Sequence, residues 1–192
     1  PGIEGYWCCH RATIKYFVVV KKSIVIAAPS GTGKTSIVRF LIEKEKSLRF
    51  SVSACTREKR DNELDGKDYY FINVSDFKSR IKNKDFLEWE QVYLNQYYGT
   101  LNSELEKIWN NKNHVIFDVD VIGGLNIKKK MQSNCLAIFI MPPSLNILSK
   151  RLKLRGTDSK ENVITRLEKA SQEIALKDEF DFIIINDDLE IA

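Results

Sequence analysis

The segment Ala28-Pro29-Ser30-Gly31-Thr32-Gly33-Lys34-Thr35 brings together residue types suited to holding a polyphosphate. Gly31 and Gly33 free the backbone to turn its amides towards phosphate oxygens, and the helical pattern that follows adds the positive end of its dipole. Lys34 offers a point charge to the β and γ phosphates, and the Thr35 hydroxyl is an oxygen ligand for a bridging Mg²⁺ ion. Pro29, Ser30, Thr32 and Ser36 complete the nucleotide-binding set. The apolar run Ile24-Val25-Ile26 lies just upstream, so strand, loop and helix fall in the order a phosphate-binding loop requires. Such loops open on glycine. Ala28 stands there instead, and the backbone at that point must be one an L-residue tolerates.

Asp118 closes the buried-type strand His114-Val115-Ile116-Phe117, a position from which a carboxylate orients Mg²⁺ or its waters beside the loop. Asp120, two residues on, faces the same side if the chain is extended. Ser53, Thr56, Arg57 and Arg60 form a second cluster. Guanidinium forks match phosphate oxygens bidentately and keep their charge, although taken alone Arg57 and Arg60 suit a solvated surface turn better than a phosphate site.

The elements that must position these groups alternate. A helix face is marked by Ile37, Val38, Leu41 and Ile42, another by Leu101, Leu105, Ile108 and Trp109, and strands by residues 114–117, 136–140 and 182–185. After Pro142-Pro143 comes a helix carrying Leu145, Leu148 and Leu152. Arg155-Gly156-Thr157 breaks it, and a long charged helix follows with Val163, Ile164, Leu167, Ala170 and Ile174. This rhythm predicts an α/β fold of the P-loop NTPase type, a parallel sheet flanked by helices with ligands at the carboxyl ends of its strands. Residues 50–98 are aromatic-rich and strand-like and interrupt the rhythm as an inserted lobe. Lys128-Lys129-Lys130 reads as a solvated helix face.

With 192 residues, 43% of them hydrophobic, the chain can bury a substantial core in one unit. A formal charge of +4 without a basic stripe argues against nucleic acid as partner. The apolar run Tyr16–Val20 is too short to span a bilayer, so no membrane association is expected. Cys8, Cys9, Cys55 and Cys135 form no CxxC pair or metal spacing and a large core needs no disulfide staples, which points to a reducing, cytoplasmic setting; contiguous Cys8, Cys9 and His10 lack the distant partner a metal cluster needs. Residues 1–22 carry no assigned role, and monomer and homo-oligomer are left equally open.

In their order after the phosphate loop, several short runs resemble the guanylate kinase family from about Lys22 to the C-terminus. They are Ser53 with Thr56-Arg57 and Arg60, Gly66-Lys67-Asp68-Tyr69, Leu87-Glu88-Trp89, Tyr97-Tyr98-Gly99-Thr100, Asp118-Val119-Asp120, Arg155-Gly156-Thr157 and Asn186-Asp187-Asp188. The resemblance implies ATP and GMP as substrates, Mg²⁺ as cofactor, and transfer of the γ-phosphoryl group to give ADP and GDP. It implies a core of residues 23–49, 101–150 and 176–192, a GMP-binding lobe of 50–100 and a helical lid of 151–175. Within these, Ser53, Arg57, Arg60, Tyr69 and Tyr98 are implied to hold the GMP phosphate, and Glu88, helped by Thr100 and Asp120, to read guanine. Lys34, Arg57, Asp118 and the lid arginines Arg151, Arg155 and Arg166 are implied to serve the transfer, Thr35 and Asp118 the metal, and Asn186 with Asp187 the adenine. Cys55 replaces one of the two threonines such chains carry before Arg57. The loop after Glu88 is one residue longer than the family's usual one, which leaves Tyr97 an alternative to Tyr98. The rival readings are a kinase for another phosphorylated acceptor and a noncatalytic guanylate kinase-like module that binds proteins.

Overall fold

The computed structural model describes residues 23–61, 63–154 and 160–192. The readings for residues 1–22 and for Arg155, Gly156 and Thr157 lie outside the described residues. In chain order the elements are β1 (Ser23–Ala27), α1 (Lys34–Lys44), β2 (Leu48–Phe50), β3 (Ser53–Cys55), β4 (Tyr70–Phe71), α2 (Val74–Lys82), β5 (Phe86–Tyr93), β6 (Gln96–Leu101), α3 (Asn102–Asn110), β7 (His114–Val119), α4 (Val121–Met131), β8 (Cys135–Met141), α5 (Leu145–Leu154), α6 (Lys160–Ile174) and β9 (Phe182–Ile185).

The main sheet runs β2-β7-β1-β8-β9 with every pairing parallel, as the alternating pattern predicts. All five residues of β1 are buried because helices cover both faces. Its alternate side chains feed opposite layers. Val25 and Ala27 join Leu105, Phe117, Ile127 and Phe139 on one side, while Ile24 and Ile26 join Ile37, Val38, Leu48 and Ile116 on the other. Ala28 belongs to this second layer, 3% exposed, and its backbone is not in the left-handed region. The departure from glycine therefore carries no strain, and its methyl group is core.

The inserted lobe is a second sheet, β4-β3-β6-β5, in which β3 and β4 are parallel and the rest antiparallel. It has its own apolar centre of Ala54, Phe77, Phe86, Tyr97 and Leu101. The strand-like reading of this stretch misses α2. Asn73 caps that helix by accepting a hydrogen bond from the Asp76 amide, and Phe77 drives it home, stacked 4.4 Å from the Phe86 ring.

Leu148 and Leu152 of α5 pack against Val163, Leu167 and Ala170 of α6. Since α5 continues to Leu154, the expected core–lid boundary at residue 151 falls inside a helix. Nor is the lysine run simply solvated: Lys128 pairs with Asp181 at 3.0 Å and Lys130 donates to the Leu87 carbonyl, tying α4 to β5. Among the described residues, no helix is long and apolar enough to cross a membrane.

Candidate active site

The loop between β1 and α1 turns through Gly31 and Gly33, whose φ angles of 96° and 89° lie in the region open to glycine. It closes one wall of a cavity of about 410 Å³, lined by residues 28–36, at the carboxyl ends of β1 and β7. Lys34 leans across this wall to an Asp118 oxygen at 2.6 Å and donates to the Val119 carbonyl. The Thr35 hydroxyl donates to the other Asp118 oxygen at 2.9 Å. Parallel pairing of β1 with β7 puts Asp118 opposite Ile26, so the loop and the acid are fixed by one strand pair. The loop is braced from behind: Asn186, 6% exposed, donates its amide to the Thr32 carbonyl at 2.6 Å.

Ser53, Arg57, Arg60, Tyr69, Glu88 and Tyr98 line the facing wall, on the inserted lobe. The Arg57 guanidinium is held bidentately by Glu63 at 2.6 and 2.5 Å and lies over the rings of Tyr69 and Phe71 at 5.0 and 5.4 Å. That clamp holds the Glu63 carboxyl down at about 2 and raises Arg57 further, so the fork is charged and pre-aimed. Burial pushes the Tyr69 phenol up to about 12 and raises Tyr98 as well, which keeps both as neutral donors. Tyr98 lines the cavity, whereas Tyr97, on the opposite face of β6, sits in the lobe core.

Glu88 is 6% exposed and accepts a hydrogen bond from the fully buried Thr100 hydroxyl at 2.8 Å, its cross-strand neighbour. Burial, with Asp120 nearby, lifts its pKa to about 7. Thr100 itself stands behind Glu88, outside the cavity lining. Asp120 lines the cavity and caps α4, accepting from the Gly123 amide at 2.7 Å. A carboxylate so placed accepts from paired N–H donors of a nucleobase edge and leaves a buried mismatch when a base lacks them.

Of the arginines expected on the lid, Arg166 lines this cavity and donates to the Ser30 hydroxyl at 3.0 Å. Arg151 does not. Its guanidinium donates to the Asn186 carbonyl at 2.9 Å and reaches the Thr32 and Asp187 carbonyls, bordering a second cavity of about 430 Å³ with Asn186, Asp187, Gly31, Gly33 and Ser36. Sequence reasoning missed Glu63 as the holder of Arg57, and Glu90, Lys169 and Glu173 as cavity residues. Glu173, 6% exposed on α6, is raised to about 7 by burial, with Lys169 3.7 Å away working against that. Only the i, i+4 spacing of Lys169 and Glu173 was visible in the sequence.

The guanylate kinase family model matches residues 20–192. A guanylate kinase of Porphyromonas gingivalis is 48% identical over 88% of this chain and 90% of its own length. One from Thermotoga maritima is 45% identical over 88% of this chain and 80% of its own. Among solved structures, the guanylate kinase of Anaplasma phagocytophilum superposes with a TM-score of 0.72 at 28% identity, over 89% of this chain and 79% of that one.

Proposed function

The chain belongs to the guanylate kinase family and is a phosphotransferase of that kind; we propose that its two-walled cavity moves the γ-phosphoryl group of ATP onto GMP. ATP is the donor, and the products are ADP and GDP. The observation that carries the reading is that one cavity joins a glycine-turned phosphate loop with Lys34 to a buried Glu88–Thr100 pair on the facing lobe. In this reading the loop amides and Lys34 hold the β and γ phosphates, and Arg57, Arg60, Ser53, Tyr69 and Tyr98 hold the GMP phosphate. Glu88 accepts from the guanine N1 and N2 hydrogens, with Asp120 at its side. The transferring group spreads charge over its equatorial oxygens, so Arg166 and Lys34 supply fixed positive charge as the bond to ADP breaks and that to GMP forms. Arg151 then acts through the loop it braces, and Asn186 holds the loop with its amide, with Asp187 beside the second cavity. Arg155 stays in the proposal on its sequence match alone.

Thr35 and Asp118 are the residues that would hold Mg²⁺. Their oxygens lie together at the foot of the loop, and among the described residues no group of three or more His, Cys, Asp or Glu forms a dedicated metal cage. That donor set fits an ion that takes one or two protein oxygens and leaves the rest to water and phosphate. When bound, Mg²⁺ neutralises charge between the β and γ phosphates. A cytoplasmic location belongs to the proposal too, supported by Cys55 and Cys135, both buried and neither in a disulfide.

ADP release is the test, with ATP and Mg²⁺ and one of GMP, AMP, CMP or UMP as acceptor. Turnover confined to GMP is expected. GMP binding in a calorimeter without turnover would instead establish the noncatalytic module, which the enzyme names of the relatives do not favour.

A further inference from the structure

One acid on the acceptor wall has no part in the scheme above. Glu90 lies two residues beyond Glu88 on β5, so both side chains leave the same face of the strand, and both line the cavity. The register fixes its neighbours: Glu88 is opposite Thr100, and Glu90 is opposite Tyr98. Its negative charge is felt by Glu88, yet no hydrogen bond or ion pair within the described residues uses its carboxylate. Tyr98 in turn meets the Tyr69 ring edge-on at 6.0 Å, and Tyr69 lies under Arg57. Along this face the wall therefore reads base-edge acceptor, Glu90 with Tyr98, then the cationic phosphate cluster.

A half-buried carboxylate in a cavity for an anionic nucleotide repels the phosphate, so its partner has to be a neutral donor. The part of a nucleoside monophosphate that lies between base edge and phosphate is the sugar, and its only strong donors are hydroxyls. Two residues along a strand cover roughly 7 Å, comparable to the distance from a purine edge to its ribose. We propose that Glu90 recognises the ribose of the acceptor nucleotide, its carboxylate accepting hydrogen bonds from the sugar hydroxyls. This rests on the guanylate kinase reading of the cavity and adds to it a means of telling a ribonucleotide from its deoxy counterparts.

The test compares kcat/KM for GMP, 2′-deoxy-GMP and 3′-deoxy-GMP at fixed ATP and Mg²⁺, for the wild type, Glu90→Ala and Glu90→Gln. A charge-assisted hydrogen bond lost from one side corresponds to about a tenfold drop or more. The expected pattern is a tenfold loss for GMP in Glu90→Ala, a smaller loss in Glu90→Gln, whose carbonyl still accepts, and little change with the deoxy analogue that lacks the hydroxyl concerned. The wild-type preference for GMP shrinks by the same factor. Equal losses on all three nucleotides would overturn the proposal and give Glu90 a role in shaping the wall. A change confined to the KM of ATP would also overturn it, pointing to Lys169 or Arg166 of α6 as its true partner. Thermal unfolding of each variant separates these from misfolding, and Glu90→Gln preserves shape if Glu90→Ala does not fold. Should the wild type neither bind nor phosphorylate GMP, the failure would lie with the parent reading.

Discussion

Glu88 sets the terms at the scale of single residues. Burial, opposed by the Thr100 hydroxyl and reinforced by Asp120 and Glu90, places its pKa at about 7, so near neutrality a large share of the free protein carries it protonated. Only the ionised carboxylate accepts from both guanine donors, and the protonated form must first release its proton. GMP affinity should therefore fall as pH drops below about 7, approaching tenfold per unit once protonation is nearly complete. The GMP phosphate also titrates near pH 6, so calorimetry at pH 5.5, 6.5 and 8 should be read as the ratio of wild type to Glu88→Gln. A flat ratio would remove Glu88 from the guanine edge. Glu88→Ala should weaken GMP at least about a hundredfold and leave ATP within about twofold, because the lost matching is buried. Lys34 gives the complementary result. Its ammonium rests on Asp118 and Val119 in the free protein and makes no contact with Glu88 or Thr100, so Lys34→Ala should abolish turnover while GMP still binds in the same calorimeter.

The phosphate loop shows at the element scale how two small residues five positions apart, Ala28 and Gly33, differ in what they tolerate. Gly33 is the N-cap of α1 with φ 89°, and a Cβ there would meet the Asn186 amide nitrogen at 2.5 Å. Gly33→Ala should thus cost about 1–3 kcal/mol in urea denaturation through left-handed strain, and should displace the side chain that braces Thr32. Ala28→Gly, which restores the usual loop residue, should also destabilise, by about 0.5–1 kcal/mol, since Ala28 is core and its backbone has no need of glycine. The same contrast explains what was legible in the sequence. Strands β1, β7 and β8 are continuous apolar runs because they are buried on both faces, and the loop follows a fixed spacing. The three-residue β2 leaves too short a trace, and α2 hides two anchors, Phe77 and Ile81, among aromatics that favour strands. Most residues brought forward for the site do line one cavity. Glu63, Lys169 and Glu173 escaped because their place at the cavity is made by the fold: Glu63 lies six positions from Arg57 in a loop without periodicity, and Lys169 and Glu173 are one local pair in a helix rich in charge.

The whole molecule carries two buried acids on different elements around one cavity, Glu88 on β5 and Glu173 on α6. Both have folded pKa values of about 7 against an ordinary 4.5. For an acid raised on folding, the native state binds the proton more tightly, so its stabilising contribution is complete below pH 4.5 and is lost as pH rises through 7. Each group is therefore worth up to about 3 kcal/mol between pH 4.5 and 8. Glu63 has the opposite sign: lowered to about 2, it adds stability above 4.5 that disappears as pH falls towards 2. Among these three groups, the combined contribution to the stability of the unliganded protein is greatest near pH 4.5. Urea denaturation at pH 5 and pH 8 should show the wild type weaker at pH 8, and Glu173→Gln should remove its share of that loss, since an amide is buried equally well at both values. Wild type and variant losing stability in parallel would mean that Glu173 is already ionised in the native state, neutralised by Lys169 at 3.7 Å. GMP reverses the Glu88 share alone. Bound to the ionised carboxylate, it stabilises the folded state increasingly with pH, so at saturating GMP the Glu88 share of the slope between pH 5 and 8 is removed, and the difference in slope between wild type and Glu173→Gln, from which the titration of the GMP phosphate cancels, is that of Glu173.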